Sequence, residues 1–483
     1  MRRRTFLQAG GAALLAGMGA RSWAADVPTT RDLAGDVAIL REALKLHPGL
    51  YRYQSPAAFE AKLARFGQAF VAAGDQQARF LALAALLAEI RCGHSYPNFF
   101  NQKKEVAAEL FDRPTRVPVH FVWVGDEMVV VGSRGSGLAA GTRIHRLNGE
   151  RPAALRARLM PLVRADGHND AKRISLLEVR GDDRIETFDV FQGLLSPPRG
   201  GVHRLEVEEP DAKARHVELP AIGLAARQAS MTAPEVKDAD PLWTWSMRPD
   251  GVAVLTMPGW GIWNSKWDWK GWLDARLDSL GGTKGLVVDL RDNEGGADCG
   301  DLILARLIDR PWTPPALEQR LRFRRTPASL DPFLDTWDDS FRTLGERATP
   351  LADGFFLRPA GENALRVEPA DKRLPVGVAV LTSPVNSSAT FQFARNFRAI
   401  GGGKLYGRPT GGNRRGINGG CFFFVRLPAS GLEFDLPLVG YFAMGREPDA
   451  GIIPDVAVAP TIADLAAGRD RTLERAAVDL ASG

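Results

Sequence analysis

Residues 376–394 read VGVAVLTSPVNSSATFQFA. An apolar run of strand length stops at a proline, and a segment with helical spacing follows two adjacent serines. Ser is among the commonest helix N-caps, so Ser387 and Ser388 taken by themselves read first as capping residues. A serine in the first turn of a helix just beyond a strand is also well placed for chemistry. Free N–H groups and the helix dipole there favour a developing negative charge.

Working outward, the surroundings share this grammar. GVAVLTM (251–257) and GLVVDL (285–290) are further apolar strands, CGDLILARLI (299–308) reads as a helix, and KLYG (404–407) as a strand. Buried apolar strands alternating with helices indicate an α/β layer with parallel pairing. CFFFVRL (421–427) and LEFDLPLVGYF (432–442) follow as a hairpin, and the Pro-rich stretch 308–372 has no assignable period. The α/β layer is expected over 250–483, with 308–372 inserted.

Before this layer the chain changes character twice. Residues 25–114 read as a helical domain, in which Ser55-Pro56 starts a helix carrying Phe59, Leu63, Phe66 and Phe70 on one face. A following helix, QARFLALAALLAEIRCG, is expected to end at Gly93. From 115 to 222 the signal is of short strands, and 223–249 reads as a linker.

The first 24 residues are read as a leader. Arg3-Arg4-Thr5-Phe6-Leu7 fits a twin-arginine signal, a short Ala/Gly-rich apolar segment follows, and Ser22-Trp23-Ala24 suits cleavage. The expected location is therefore periplasmic or secreted. No later stretch approaches the ~20 apolar residues of a membrane helix. The leader holds four arginines and no acid, so its removal leaves 58 basic residues against 57 acidic ones, a net +1. That balance argues against a nucleic-acid partner. Three cysteines make no disulfide framework, and seven scattered histidines make no zinc signature, so neither metal nor cofactor is expected.

Four places in the 483-residue chain carry candidate chemistry. In EIRCGHSYPNF, His94 lies just past a helix. In VVDLRDNEGGADCGD, Gly295 and Gly296 follow a strand and precede a helix, where backbone N–H groups could hold an oxyanion. Ser388 and the amide of Ala389 open the helix already described. In MGREPDAGIIPD, Glu447 precedes a turn.

Taken in order, these segments, with HPGLY, GLAAGTRIHRLNGERP, YGRPTGG and GIIPD, resemble the tail-specific or C-terminal processing serine peptidase family. The resemblance implies a multi-domain α/β protein with an N-terminal helical domain, a PDZ-like β-rich domain and a ClpP/crotonase-like catalytic domain. One branch of the family uses a Ser/Lys dyad. Here the corresponding place holds Asn413-Arg414-Arg415, and Arg is a poor base, while Lys404 comes too early. The tricorn-like branch uses Ser, His and Glu, which points to Ser388 as nucleophile, His94 as base and Glu447 as the supporting acid. That branch can place a relaying Ser immediately before the His, where this chain has Gly93. Glu447 is left to act directly, through water, or through Ser95 or Tyr96. The implied function is endopeptidase hydrolysis of peptides or unfolded proteins through an acyl-enzyme, with oxyanion donors at Gly295, Gly296 and Ala389. The competing readings are a catalytically inactive peptide-binding protein on this fold and a crotonase-like acyl-thioester enzyme.

Overall fold

The computed structural model describes residues 30–132, 135–232, 239–359 and 366–482. The expected leader lies outside them. The architecture is mixed α/β, with three sheets and surrounding helices. Among the described residues, no helix is long and apolar enough to cross a membrane.

The N-terminal region opens with helices Thr30–Leu44, Pro56–Ala72 and Gln76–Ala88. Ser55 caps the second by accepting from the Ala58 N–H at 3.2 Å, and Phe59, Leu63, Phe66 and Phe70 form its buried stripe. The third stops at Ala88 rather than Gly93. Its last turn tightens, with Glu89, Ile90 and Arg91 N–H groups bonding three residues back, and Arg91 turns left-handed at φ 57°. This early unwinding swings Cys92, Gly93 and His94 off the helix axis.

A five-stranded antiparallel sheet follows in sequential order: His120–Val124, Glu127–Gly132, Arg143–Leu147, Val202–Glu208 and Arg215–Pro220. Asn148 and Gly149, both at positive φ, turn the chain immediately after its third strand, as an Asn-Gly pair is built to do. Between the third and fourth strands the chain forms helices Pro152–Leu159, Asp170–Leu176 and Thr187–Leu195. The strand-centred sequence reading did not anticipate them. They are short, and Thr187–Leu195 carries buried Asp189 and Gln192 among its apolar residues. The stretch expected to be a linker holds a short helix, Leu224–Ala229, and the strand Thr244–Met247.

The second sheet is the expected α/β layer. Its order is Val456–Ala457, Lys404–Gly407, Val378–Thr382, Gly285–Asp289, Val252–Thr256 and Thr244–Met247, parallel throughout except for the last pair. Leu286 and Val288 face a core shared with Trp260, Phe391 and Phe397, while Val287 faces Ala476 and Ala477 of helix Arg471–Ala481. Both faces are covered, which explains the unbroken apolar strands.

The stretch 308–372 supplies four strands of a third, six-stranded sheet around the hairpin Asn418–Arg426 and Glu433–Ala443. That hairpin shares one core with the N-terminal helices and the first sheet, joining Phe59, Phe80, Phe121 and Phe191 to Phe423 and Leu436.

Candidate active site

Strand Gly285–Asp289 ends in a loop organised by buried Asn293. Its Nδ2 donates to the Met257 carbonyl at 2.9 Å, and its Oδ1 accepts from the Gly295 N–H at 2.8 Å and the Thr390 hydroxyl at 2.7 Å. A second buried amide, Asn386, donates to the Asn293 carbonyl at 3.0 Å. Its backbone carbonyl accepts from the N–H groups of Gly411 and Gly412 at 2.7 and 2.9 Å. These two asparagines lock the ends of adjacent parallel strands together.

Glycine is required twice in this loop. Gly295 has φ 116°, and a Cβ there would lie 2.9 Å from Ser388 Cβ and 3.0 Å from Ala389 N. Gly296 has φ 133°, and a Cβ there would lie 2.3 Å from the Trp260 carbonyl. The Gly295-Gly296 loop therefore packs directly against the start of helix Ser388–Ala399. Because the Gly295 N–H is engaged by Asn293, the donors left are the Gly296 and Ala389 N–H groups, which have no partner among the described residues.

The two serines differ. Ser387 is an extended N-cap residue whose hydroxyl donates to the Glu294 carbonyl at 3.1 Å. Ser388 is half-buried, makes no side-chain hydrogen bond among the described residues, and has φ 50°. A non-glycine residue in this region costs about 1–3 kcal/mol and persists only where its surroundings impose it. Here Gly295 and the adjoining first turn impose it.

His94 is presented by the turn that follows Ala88. Buried His47 braces that turn: its Nδ1 accepts from the Gly49 N–H at 2.9 Å, and its Nε2 donates to the Ser95 hydroxyl at 2.9 Å. Burial drives the His47 ring down to about 3, so it serves as a neutral strut. His94 packs near Phe422, with ring centroids 5.9 Å apart, and its Nδ1 is buried without a hydrogen-bond partner. Burial lowers its pKa; Asp166 and Glu294 oppose this, and Arg164 and Lys172 add to it.

Arg164 links the two halves. It donates to the Gly93 carbonyl and, at 3.5 Å, to the Glu294 carboxylate. Glu294 also takes the ammonium of buried Lys172, which donates at 2.7 Å to the Val385 carbonyl. Burial alone would raise Glu294, but the Lys172 and Arg164 charges override it and hold the carboxyl at about 2.

Residues 251–458 match the model of peptidase family S41. The chain carries an S41 serine peptidase domain. In fold, the peptidase is similar to mature CPAF complexed with lactacystin, at 15% identity and a TM-score of 0.62, covering 94% of this chain and 99% of that one. It is similar also to mature CPAF, at 15% identity and a TM-score of 0.59, covering 94% and 98%. Comparison with curated proteins found no match.

In this peptidase the residues standing where a dyad lysine was sought are otherwise engaged. Asn413 is buried and donates to Asp449 at 2.6 Å, and Arg414 pairs with the Glu447 carboxylate at 2.8 Å. Lys404 is exposed at the start of its strand. Glu447 is thus held by Arg414, while the carboxylates acting on His94 are Asp166 and Glu294. Ser95, considered as a relay, is bonded to His47.

Cys92, His94 and Asp166 bring donor atoms within 4.8 Å of one another. Burial pushes the Cys92 thiol up to about 11, so at neutral pH it is protonated and a weak metal donor. All three cysteines are free and buried. A cleft beside the site is lined by Tyr96, Phe100, Leu162, Arg164 and Glu294 among others, apolar with a charged end.

Asn293, Asn386, Arg164, Asp166 and Lys172 escaped the sequence reading. For Arg164, Asp166 and Lys172 the available signal was the charged run VRADGHNDAKR (163–173), while Asn293 and Asn386 stood inside the quoted stretches without a role.

Proposed function

We propose that this peptidase is an exported endopeptidase of the tricorn-like, Ser/His branch, acting on peptides or unfolded proteins. Ser388 Oγ attacks the scissile carbonyl as His94 takes its proton, and the same proton passes to the leaving amine. The Ala389 and Gly296 amides stabilise the oxyanion; one such donor is worth about 2.7–4 kcal/mol of barrier. Water then releases the acyl group from Ser388 by the reverse route.

The observation that carries this reading is the left-handed Ser388, half-buried and without a hydrogen-bond partner among the described residues, against the Gly295 loop at a helix start. Its neighbour Ser387 has the ordinary capping-position geometry. In the same reading the region 115–222 is a PDZ-like module that accepts an extended peptide at a sheet edge, and 250–483 is a ClpP/crotonase-like catalytic domain. The twin-arginine leader directs the chain to the periplasm or beyond.

The test is labelling with a fluorophosphonate followed by peptide mapping. Modification at Ser388, abolished in Ser388→Ala, is the expected result. Unlabelled wild-type protein, or labelling that survives Ser388→Ala, overturns it.

A further inference from the structure

We propose that Asp166 is the positioning acid for His94, and that Gly93 is glycine because a side chain there would occupy the space of the Asp166 carboxylate. The inference rests on the Ser388/His94 reading above.

Asp166 is 2% exposed, and its Oδ1 accepts the Gly93 N–H at 2.9 Å. Its Oδ2 lies 2.9 Å from where a Cβ on residue 93 would stand. The segment is pinned on both sides: the Gly167 N–H donates to the Arg91 carbonyl at 2.9 Å, and Asn413 donates to the Asp166 carbonyl at 3.2 Å. The carboxylate is therefore fixed to the same turn that carries the imidazole. One of its oxygens lies within 4.8 Å of a His94 ring nitrogen, and Nδ1 of that ring is the buried atom without a partner. Catalytic hydrogen bonds are often long in unliganded enzymes and tighten when substrate binds.

Charge balance singles out the same residue. Around His94 stand Asp166, Glu294, Arg164, Lys172 and the neutral Cys92. Glu294 is already paired by Lys172 and Arg164, and Glu447 by Arg414. Asp166 has no ion pair among the described residues. In the proposal, His94 takes the Ser388 proton on Nε2, its unpartnered Nδ1–H is the group that Asp166 supports, and the imidazolium supplies the missing counter-charge. An acid in this position fixes the tautomer and stabilises the charged ring.

The experiment compares full-length wild type with Asp166→Asn and Gly93→Ala, reading kcat/KM on a peptide and fluorophosphonate labelling across pH. Asp166→Asn keeps an acceptor for the Gly93 N–H and removes the charge. The expected result is a loss of about 10²–10⁴-fold, mainly in kcat, with the midpoint of the acid limb moved to lower pH because the imidazolium has lost its anion. Gly93→Ala, which displaces the carboxylate without altering any ionisable group, is expected to shift the midpoint the same way. A wild-type rate and midpoint in both variants overturns the proposal, as does a midpoint shift in Glu447→Gln with none in Asp166→Asn. If Asp166→Asn does not fold, Gly93→Ala alone decides between these outcomes. Failure of the underlying reading looks different: activity would survive in His94→Ala or Ser388→Ala.

Discussion

Around Ser388 the anchors are chiefly neutral amides and hydroxyls at the ends of parallel strands, whereas around His94 most are charges carried on turns and loops. Asn293 and Asn386 tie strand ends to each other through buried hydrogen bonds. Arg164, Lys172, Glu294 and Asp166 hold the other half through ion pairs and backbone contacts. Neutral networks inside a sheet are insensitive to pH and salt, while buried charges hold only as long as each keeps its partner. The Ser388 side is thus a rigid fixture, and in the proposed mechanism the His94 side is where protonation acts.

The hardest break to this comparison is deletion of either chemistry. Ser388→Ala and His94→Ala should each lower kcat by about 10⁴–10⁶-fold, and the double variant should be little worse, because the pair works as one unit. Additive losses in the double variant would show that the two sides do not cooperate.

Next in size is Gly295→Ala, which pushes a methyl against Ser388 Cβ and Ala389 N. It should cut kcat by about 10²–10³-fold with a smaller change in KM, measured by steady-state kinetics on a folded sample. Wild-type turnover would mean the loop does not shape the oxyanion site.

The base side should respond to acid. Activity needs neutral His94, whose pKa burial lowers, so the acid limb should have its midpoint below the ordinary value of about 6.5. Stability should follow the same direction. His47 is held at about 3 in the folded chain, so as pH falls from about 6.5 towards 3 the unfolded state binds a proton that the folded state refuses. Glu294 adds to this below its ordinary range, down to about 2. Burial raises the Asp183 and Asp435 carboxyls to about 7, which works in the opposite direction, so the His47 contribution is read as the Tm difference between wild type and His47→Gln at stepped pH. That difference should fall as pH drops from about 6.5, and a pH-independent difference would refute the assignment of neutral His47.

The smallest effect is expected from Lys404→Ala. Lys404 is exposed on its strand, and its loss should leave kcat/KM within about twofold and stability within about 0.5 kcal/mol. A large loss would restore a Ser/Lys mechanism.

The same contrast explains what the sequence revealed. Strand Val378–Thr382 and its neighbours are buried on both faces, so they appear as continuous apolar runs, and the Gly-Gly pair and the helix after Ser388 follow directly. The base side depends on long-range partners. Asp166 meets Gly93 across more than seventy residues, and its role shows only when the chain is folded. The helix ending at Ala88 rather than Gly93 was hidden for a similar reason: Glu89 and Ile90 continue its pattern, and only the left-handed Arg91 reveals the turn. Glu447 was picked out by its place in a sequence order, which carries no information about Arg414 beside it.

The hairpin core has a consequence for how the chain is made. Phe59 and Phe80 share their core with Phe423 and Leu436, so the N-terminal helices leave the ribosome long before the residues that cover them. At ~5–20 residues per second, the ~220 residues between the first sheet and the end of the hairpin take roughly 10–45 s to emerge. Throughout that interval an apolar face waits uncovered, and contacts this distant in sequence close slowly. Nascent chains stopped at residue 320 should therefore stay open to protease through their first three helices until the hairpin is supplied.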